Sequence, residues 1–286
     1  MLPGGDWQTV AEFCRWLSAR NLSTTTIRTY QRTLIRVSNY LDSPDWYQIT
    51  RDDIERWLDT TRAGDASRYH YLSHLAQFFK WGCDEGMWSE DPTRRIPRPK
   101  LDETLPHFIP PADLRRAIHH AEPKMAAWIT LGALAGLRCK EIAGLRAQDL
   151  RWELDPPMLI VSSPKGRRQR SVAIHHELQD ALHRYGLPRR GFVFCRDGTN
   201  EPITPNMVSW QGGKYLREQG IDGSMHSLRH SFGTALYRQT RDIRLVQEQL
   251  GHRHPNTTAV YTHLAPSEGA EAVMGLPSLN GAAEPG

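Results

Sequence analysis

Apolar side chains recur every three or four residues in the first part of the chain, a spacing that predicts amphipathic α-helices. The runs cover Thr9–Ala19, Thr24–Leu41, Thr50–Thr61 and Ala66–Glu85. Serine, threonine or aspartate stands near most of their starts, where such side chains cap exposed backbone N–H groups. The pattern therefore predicts a first domain built from four helices.

The helical periodicity stops between Asp91 and Leu114, where prolines and charged residues crowd together. We place the first domain at residues 1–91, a linker at 92–106 and a second domain at 107–286, with a disordered tail from about residue 277. A chain of 286 residues exceeds the usual size of one domain, which agrees with this division.

The second domain combines two periodicities. Short β-branched runs at Met158–Ser163 and Arg170–His175 flank a basic turn, which predicts a β-hairpin with a positively charged tip. The other segments follow helical spacing. They comprise two helices within Pro111–Gly136, a third from near Cys139, and further helices at His176–Tyr185, Thr204–Gln219, Leu228–Arg238 and Ile243–Leu250. The expected fold class is mainly α with a small antiparallel β-sheet.

Composition excludes several classes of protein. The hydrophobic fraction of 39% and charged fraction of 24% are ordinary for a globular chain, and no window approaches 18 uninterrupted apolar residues. The first residues lack the basic and apolar regions of a secretory signal, so we expect a cytoplasmic protein. The four cysteines are scattered without a CxxC pair, which argues against a disulfide framework and a structural zinc site.

The net charge of +4 is weak support for a nucleic-acid partner, and the distribution of charge says more. Arg28, Arg32 and Arg36 are spaced four apart on one face of the second predicted helix, in a stretch that contains no Asp or Glu. We interpret this row as a candidate DNA contact; a plain solvated helix face is the alternative. On the fourth helix, Arg68, His70 and His74 alternate with aromatic residues and are candidates for a second DNA-facing ridge.

Four short motifs follow one another in the second domain. They are GLRCKEIAGL with Arg138, PKGRRQRSV with Lys165, HSLRHSF with His226 and Arg229, and LGHRHPNTTAVYTH with His252 and Tyr261. Each motif alone is weak, but their order and spacing together resemble the tyrosine recombinases, the integrase family that includes Xer-type and bacteriophage enzymes. The resemblance implies a helical, SAM-like core-binding domain followed by a mixed α+β catalytic domain.

By this resemblance, Tyr261 is the nucleophile, and Arg138, Arg229 and His252 hold the phosphate. His226 matches the proton-accepting histidine, Lys165 the hairpin lysine and candidate general acid, and Glu141 the supporting acidic residue. Physical chemistry agrees, because phosphodiester cleavage without a metal needs an attacking oxygen, a cationic clamp for the phosphate oxygens and a proton for the leaving oxygen. The chain departs from the family pattern at PKG, where GKG is frequent. Arg167, Arg168 and Arg170 near the same tip are alternative phosphate contacts.

The resemblance implies a site-specific recombinase that works through a 3′-phosphotyrosyl intermediate, in phage or mobile-element integration ahead of Xer-like resolution of chromosome dimers. A type IB topoisomerase and a catalytically silent DNA-binding regulator on the same fold are the alternatives. The expected partners are double-stranded DNA attachment or core sites, further copies of the chain in a tetramer, and an accessory directionality factor. No cofactor is expected, because the chain has no phosphate-binding P-loop or Gly-rich dinucleotide motif. No metal is expected either, because the histidines near His252 have no acidic partner among them.

Overall fold

The computed structural model describes residues 7–42, 45–100, 107–162 and 169–251. The chain divides into two units, Met1–Glu103 and Thr104–Gly286. The predicted domains at 1–91 and 107–286 each fall within one of these units. The architecture is mainly helical with one small antiparallel sheet, which confirms the predicted fold class.

The described part of the first unit contains four α-helices, and each coincides with a predicted one. They are α1 (Trp7–Ala19), α2 (Thr24–Tyr40), α3 (Arg51–Thr60) and α4 (Asp65–Asp84). The hydroxyl of Ser23 accepts a hydrogen bond from the backbone N–H of Thr26 and so caps α2. Thr50 and Asp53 cap α3 reciprocally. These caps explain why the starts of both helices are readable from the sequence.

Aromatic side chains dominate the core of the first unit. Phe13 of α1 packs edge-on against Phe78 of α4, with ring centroids 5.2 Å apart, and Trp81 lies against both. The core extends past α4, because Thr93 and Ile96 are buried although they fall within the predicted linker. The first part of the linker sequence is therefore structured as part of the first unit.

Seven α-helices lie in the described part of the second unit. They are α5 (Pro111–His120), α6 (Pro123–Ala135), α7 (Cys139–Ala143), α8 (His176–Tyr185), α9 (Pro205–Glu218), α10 (Met225–Thr240) and α11 (Ile243–Leu250). Helix α10 begins before the predicted Leu228, because the hydroxyl of Ser224 accepts hydrogen bonds from the backbone N–H groups of His226 and Ser227. This cap places the whole HxxR motif inside the helix.

The predicted hairpin is part of a three-stranded antiparallel sheet in the order β1-β2-β3. Its strands are β1 (Leu150–Arg151), β2 (Met158–Ser162) and β3 (Gln169–Ala173). Leu159 pairs with Val172 and Val161 with Arg170, so apolar side chains of both strands face the core. Strand β1 was not predicted, because two residues are too short to show alternation.

Helix α6 is the central element of the second unit. It is apolar on all sides and packs against α5, α8, α9 and α10, as a helix without a polar face must. It ends at Gly136, whose φ of 62° belongs to the left-handed region. Within the described ranges, no helix has the length and apolar character needed to cross a membrane.

Gly136 is a testable point of the fold, because a Cβ there would lie 2.5 Å from Cδ1 of Phe232. We expect Gly136→Ala to destabilise the protein by about 2–4 kcal/mol through backbone strain and this clash. Gly186 also has a positive φ but meets no atom within 4 Å, so Gly186→Ala should cost only the strain, roughly 1–2 kcal/mol. Urea unfolding measures both; equal losses would contradict the predicted clash.

Candidate active site

Arg138 lies at the junction between α6 and α7, immediately after the left-handed turn at Gly136. It is the N-cap residue of α7, and its backbone N–H donates to Oε2 of Glu141 at 2.9 Å. Its guanidinium returns to the same carboxylate, with Nη1 2.8 Å from Oε1. The side chain remains 40% exposed. The turn thus fixes the base of Arg138 and leaves its outer edge accessible.

The Glu141 carboxylate is the centre of a cluster of arginines. Arg170 of β3 approaches it with two parallel hydrogen bonds of 2.9 and 2.8 Å, one to each oxygen. Nη1 of Arg229 lies 3.9 Å from Oε2. Burial alone would raise the pKa of Glu141, but the hydrogen bonds and charge of Arg170, followed by those of Arg138, lower the pKa to about 2. The carboxylate is therefore ionised throughout the physiological pH range.

Arg229 is buried on α10 and ties together two helix ends. One of its terminal nitrogens donates to the carbonyl oxygen of Gly136, and the other donates to the carbonyl oxygen of Leu250 at the end of α11. Its side chain is 2% exposed. The structure thus gives Arg229 a structural task, while its predicted contact with a phosphate stays a prediction.

His226 occupies the first turn of α10, with its ring centroid 4.5 Å from that of His230. Partial desolvation and the charges of Arg229 and Arg138 lower the pKa of His226. Burial, His226 and Arg229 lower the pKa of His230 to about 4. A neutral imidazole is the form that can accept a proton, so this environment suits His226 to the role of a base at neutral pH.

The structure brings together four of the predicted site residues from segments far apart in sequence: Arg138 and Glu141 at the start of α7, and His226 and Arg229 on α10. The other predicted catalytic and hairpin residues, Lys165, Arg167, Arg168, His252 and Tyr261, lie outside the described residues. The cluster is cationic, since three arginines surround one carboxylate. Chemically, it is suited to bind an anion beside a neutral histidine.

The arginine row of the first unit lies on the outside of α2, where Arg28, Arg32 and Arg36 are all exposed. Within the described ranges, the row forms no ion pair with an acidic side chain. Arg36 donates a hydrogen bond to the hydroxyl of Tyr71 on α4. The row is therefore an unneutralised basic surface, as the sequence predicts.

The three candidates on α4 differ in their surroundings. Arg68 pairs with Asp59 at 2.9 Å and reaches the carbonyl oxygen of Leu58, so its guanidinium is engaged within the unit. His74 shares a 2.8 Å hydrogen bond with the hydroxyl of Thr33, and burial lowers its pKa. His70 is exposed. A role of these residues in DNA binding stays a prediction.

Comparison with protein families matches both units. The phage integrase family matches residues 107–268, which is more than half of the chain, and the phage integrase N-terminal SAM-like domain matches residues 10–86. The chain belongs to the tyrosine recombinase family.

Similar proteins that are named as tyrosine recombinases agree with this assignment. A tyrosine recombinase of Thermosipho africanus is 29% identical over 271 residues, covering 90% of this chain and 95% of that protein. Tyrosine recombinase XerC of Alcanivorax borkumensis is 30% identical over 280 residues, covering 90% and 89%. A lambda integrase in a tetramer bound to a Holliday junction has the same fold, with a TM-score of 0.73 at 16% identity over 89% of this chain and 76% of that chain.

Sequence reasoning placed Arg170 among the tip arginines of the recombinase hairpin and missed its inward orientation. In β3, Arg170 and Val172 are less exposed than the three residues around them, so both belong to the inner face. An arginine on the apolar face of a strand needs a buried acidic partner. The alternation within RSVAIH is the signal that could have revealed this pairing.

The described part of the recombinase has one group of side chains with metal-ligand spacing, formed by His175, His176 and Glu177. All three are exposed at the start of α8. Nδ1 of His175 already accepts a hydrogen bond from the backbone N–H of Glu177, and the positive end of a helix dipole disfavours a cation.

The depressed pKa of Glu141 predicts a pH-dependent contribution to stability. Because the folded pKa of about 2 lies below the ordinary glutamate pKa of 4.5, the contribution is present above pH 4.5 and is lost as the pH falls toward 2. At about 1.4 kcal/mol per pH unit, it amounts to roughly 3 kcal/mol. We expect Glu141→Gln to be less stable than the wild type at pH 7 and the difference to shrink below pH 4.5.

Urea unfolding at a series of pH values measures this difference. Glu201→Gln is the control, since the carboxylate of Glu201 is 70% exposed and pairs with Arg196 at 3.4 Å, which predicts an effect below about 1 kcal/mol. A Glu141→Gln deficit that stays constant from pH 7 to pH 3 would contradict the ionic origin of the contribution.

Proposed function

We propose that the protein is a site-specific recombinase that cleaves and rejoins DNA strands through a 3′-phosphotyrosyl intermediate on Tyr261. The observation that carries the proposal is the cluster of Arg138, Glu141, His226 and Arg229, which combines cationic groups with a histidine of lowered pKa. Family membership adds the expectation of the tyrosine nucleophile.

In the proposed cleavage step, the hydroxyl oxygen of Tyr261 attacks the phosphorus of the scissile phosphodiester. A bond forms between tyrosine oxygen and phosphorus, and the bond from phosphorus to the 5′ oxygen breaks. His226 accepts the tyrosine proton, and Lys165 supplies a proton to the departing 5′ oxygen. The products are a protein-linked 3′ phosphate and a free 5′ hydroxyl, so atoms and charge balance without another reactant.

The cationic residues stabilise the charge that develops on the non-bridging phosphate oxygens. The exposed part of the Arg138 guanidinium donates hydrogen bonds to the phosphate. The buried Arg229 adds its positive charge, and His252 donates a further hydrogen bond. Because the same groups stabilise the reverse reaction, a 5′ hydroxyl from another strand can displace the tyrosine. The tyrosine oxygen is a better leaving group than an alkoxide, which supports this reversal.

The proposed chemistry conserves the energy of the phosphodiester bond in the phosphotyrosyl bond. It therefore uses no nucleotide cofactor and no metal ion. The proposed partners are double-stranded DNA core sites and further copies of the chain, supported by the tetrameric lambda integrase on a junction, together with an accessory directionality factor. The proposed place of action is the cytoplasm.

Integration of a phage or mobile element and resolution of chromosome dimers require the same cleavage chemistry. They differ in the pair of sites that are joined: two dissimilar attachment sites for integration, and two identical sites for dimer resolution. We retain integration as the proposed role. Recombination restricted to two identical chromosomal sites would replace it with dimer resolution.

The nucleophile is tested with nicked duplex DNA that carries the core site. We expect the wild-type protein to form a covalent adduct that survives denaturation and Tyr261→Phe to form none, because phenylalanine has no attacking oxygen. Tyr47→Phe is the control, since Tyr47 is 64% exposed in the first unit and should form the adduct normally. Absence of an adduct from the wild type on the correct site would refute the enzymatic proposal.

A second assay separates the recombinase from its alternatives. A plasmid with two core sites should yield exchanged products only when both sites are present. Relaxation of supercoiled DNA that does not depend on a core site would indicate a type IB topoisomerase. Specific binding without any adduct would indicate a catalytically silent regulator.

The arginine row of α2 predicts a salt-dependent contribution to DNA affinity. Arg32→Ala should weaken binding to all DNA sequences to a similar degree and reduce the slope of log K against log salt by about 1, because one phosphate contact is lost. Arg56→Ala is the matched control: Arg56 is 69% exposed in the same unit but paired with Asp53. Fluorescence anisotropy at several salt concentrations measures both variants. If Arg32→Ala has the same slope of log K against log salt as the wild type, the arginine row does not contact DNA.

A further inference from the structure

Arg170 lies deeper in the arginine cluster than Arg138 does. The Arg170 side chain is 12% exposed, close to the 13% of Glu141, whereas Arg138 is 40% exposed. Arg170 covers both carboxylate oxygens, and Arg138 contacts only Oε1 with its side chain. The cluster therefore has an inner ion pair, Arg170 with Glu141, and an outer arginine.

The inner pair matters because Glu141 would otherwise weaken the outer arginine. A buried carboxylate takes its counter-charge from the nearest available cation, since leaving it unpaired is strongly unfavourable. Arg138 is already 2.8 Å from this carboxylate. If Arg170 were missing, Glu141 would bind Arg138 more strongly and cancel its charge toward any anion at the surface.

We propose that Arg170 is a positioning residue that supplies the counter-charge of Glu141 and thereby keeps Arg138 available for the DNA phosphate. This inference rests on the proposed recombinase function. It assigns Arg170 a task different from the direct phosphate contact that its place near the hairpin tip suggests. Glu141 in turn positions Arg138 without neutralising it, because the charge of Glu141 is already balanced from the inner side.

The position of Arg170 also explains why lysine is a poor replacement. The guanidinium lies against Gly251, where an added Cβ would be 3.3 Å from Nη1, and the carbonyl oxygen of Gly251 accepts a hydrogen bond from Nη2 of Arg138 at 3.4 Å. A planar fork fits between this backbone and the two carboxylate oxygens, whereas an ammonium group offers no such planar fork.

The test measures single-turnover formation of the covalent adduct at saturating DNA in four variants: Arg170→Met, Glu141→Gln, the double variant, and Arg170→Lys. Arg170→Met should slow cleavage by about tenfold or more while DNA affinity stays within about twofold, because the lost effect is on the phosphate clamp. Glu141→Gln added to Arg170→Met should make cleavage faster than in Arg170→Met, to within about threefold of Glu141→Gln alone, since a neutral amide no longer competes for Arg138. Arg170→Lys should lie between the wild type and Arg170→Met.

A purely structural or direct catalytic role gives a different pattern. If Arg170 only packs the site or contacts the phosphate itself, the double variant will be as slow as Arg170→Met or slower, and the proposal is overturned. Thermal unfolding confirms that each variant is folded at the assay temperature. If Arg170→Met does not fold, Arg170→Gln, which also removes the charge, with and without Glu141→Gln provides the same comparison, and absence of rescue there also overturns the proposal.

A separate measurement distinguishes this inference from the proposed function. The Glu141 carboxyl is titrated by carbon NMR in the wild type and in Arg170→Met, without DNA. Under the proposal, loss of the counter-charge raises the pKa of Glu141 in the variant, and an unchanged pKa overturns it. A wild-type protein that forms no adduct would refute the recombinase function, while this titration would still decide whether Arg170 is the counter-charge.

Discussion

The site depends on the ion pairs and hydrogen bonds that the Glu141 carboxylate makes with its surrounding arginines. The carboxylate receives the backbone and side chain of Arg138, the fork of Arg170 and the charge of Arg229, which come from α7, β3 and α10. One buried anion therefore sets the positions of three cations that would otherwise repel each other. Electrostatic attraction thus adds to the apolar packing that joins these segments in one core, and it does so at the place where an anionic substrate is expected.

The fold was largely predictable from the sequence because its information is local. Caps such as Ser23 and Thr50 mark helix starts, and the apolar spacing of the four helices in the first unit gives their lengths. Prediction from the sequence was less accurate for elements whose structure depends on contacts between distant residues. Within the predicted linker, Thr93 and Ile96 are buried by packing that no local pattern reveals. Strand β1 exists only through its pairing with β2.

The candidate site was predictable to a different extent. The motif order identified Arg138, Glu141, His226 and Arg229, and the structure brings these residues together. The motifs could not show which arginine faces the solvent and which is buried, because a sequence lists an exposed and a buried arginine in the same way. That distinction separates Arg138 from Arg170 and depends on strand orientation and depth. The roles of Lys165, His252 and Tyr261 stay predictions, because these residues lie outside the described part of the chain.

Arg229 has a consequence for how variants of this family member are interpreted. Its guanidinium fastens the carbonyl at the end of α6 to the carbonyl at the end of α11, and the next residue after Gly251 is His252. A substitution at this position removes a positive charge and also the hydrogen bonds that hold two helix ends. An activity assay does not separate these two effects, because either one inactivates the protein. Inactivity of an Arg229 variant therefore reports the loss of local structure as much as the loss of charge at the phosphate.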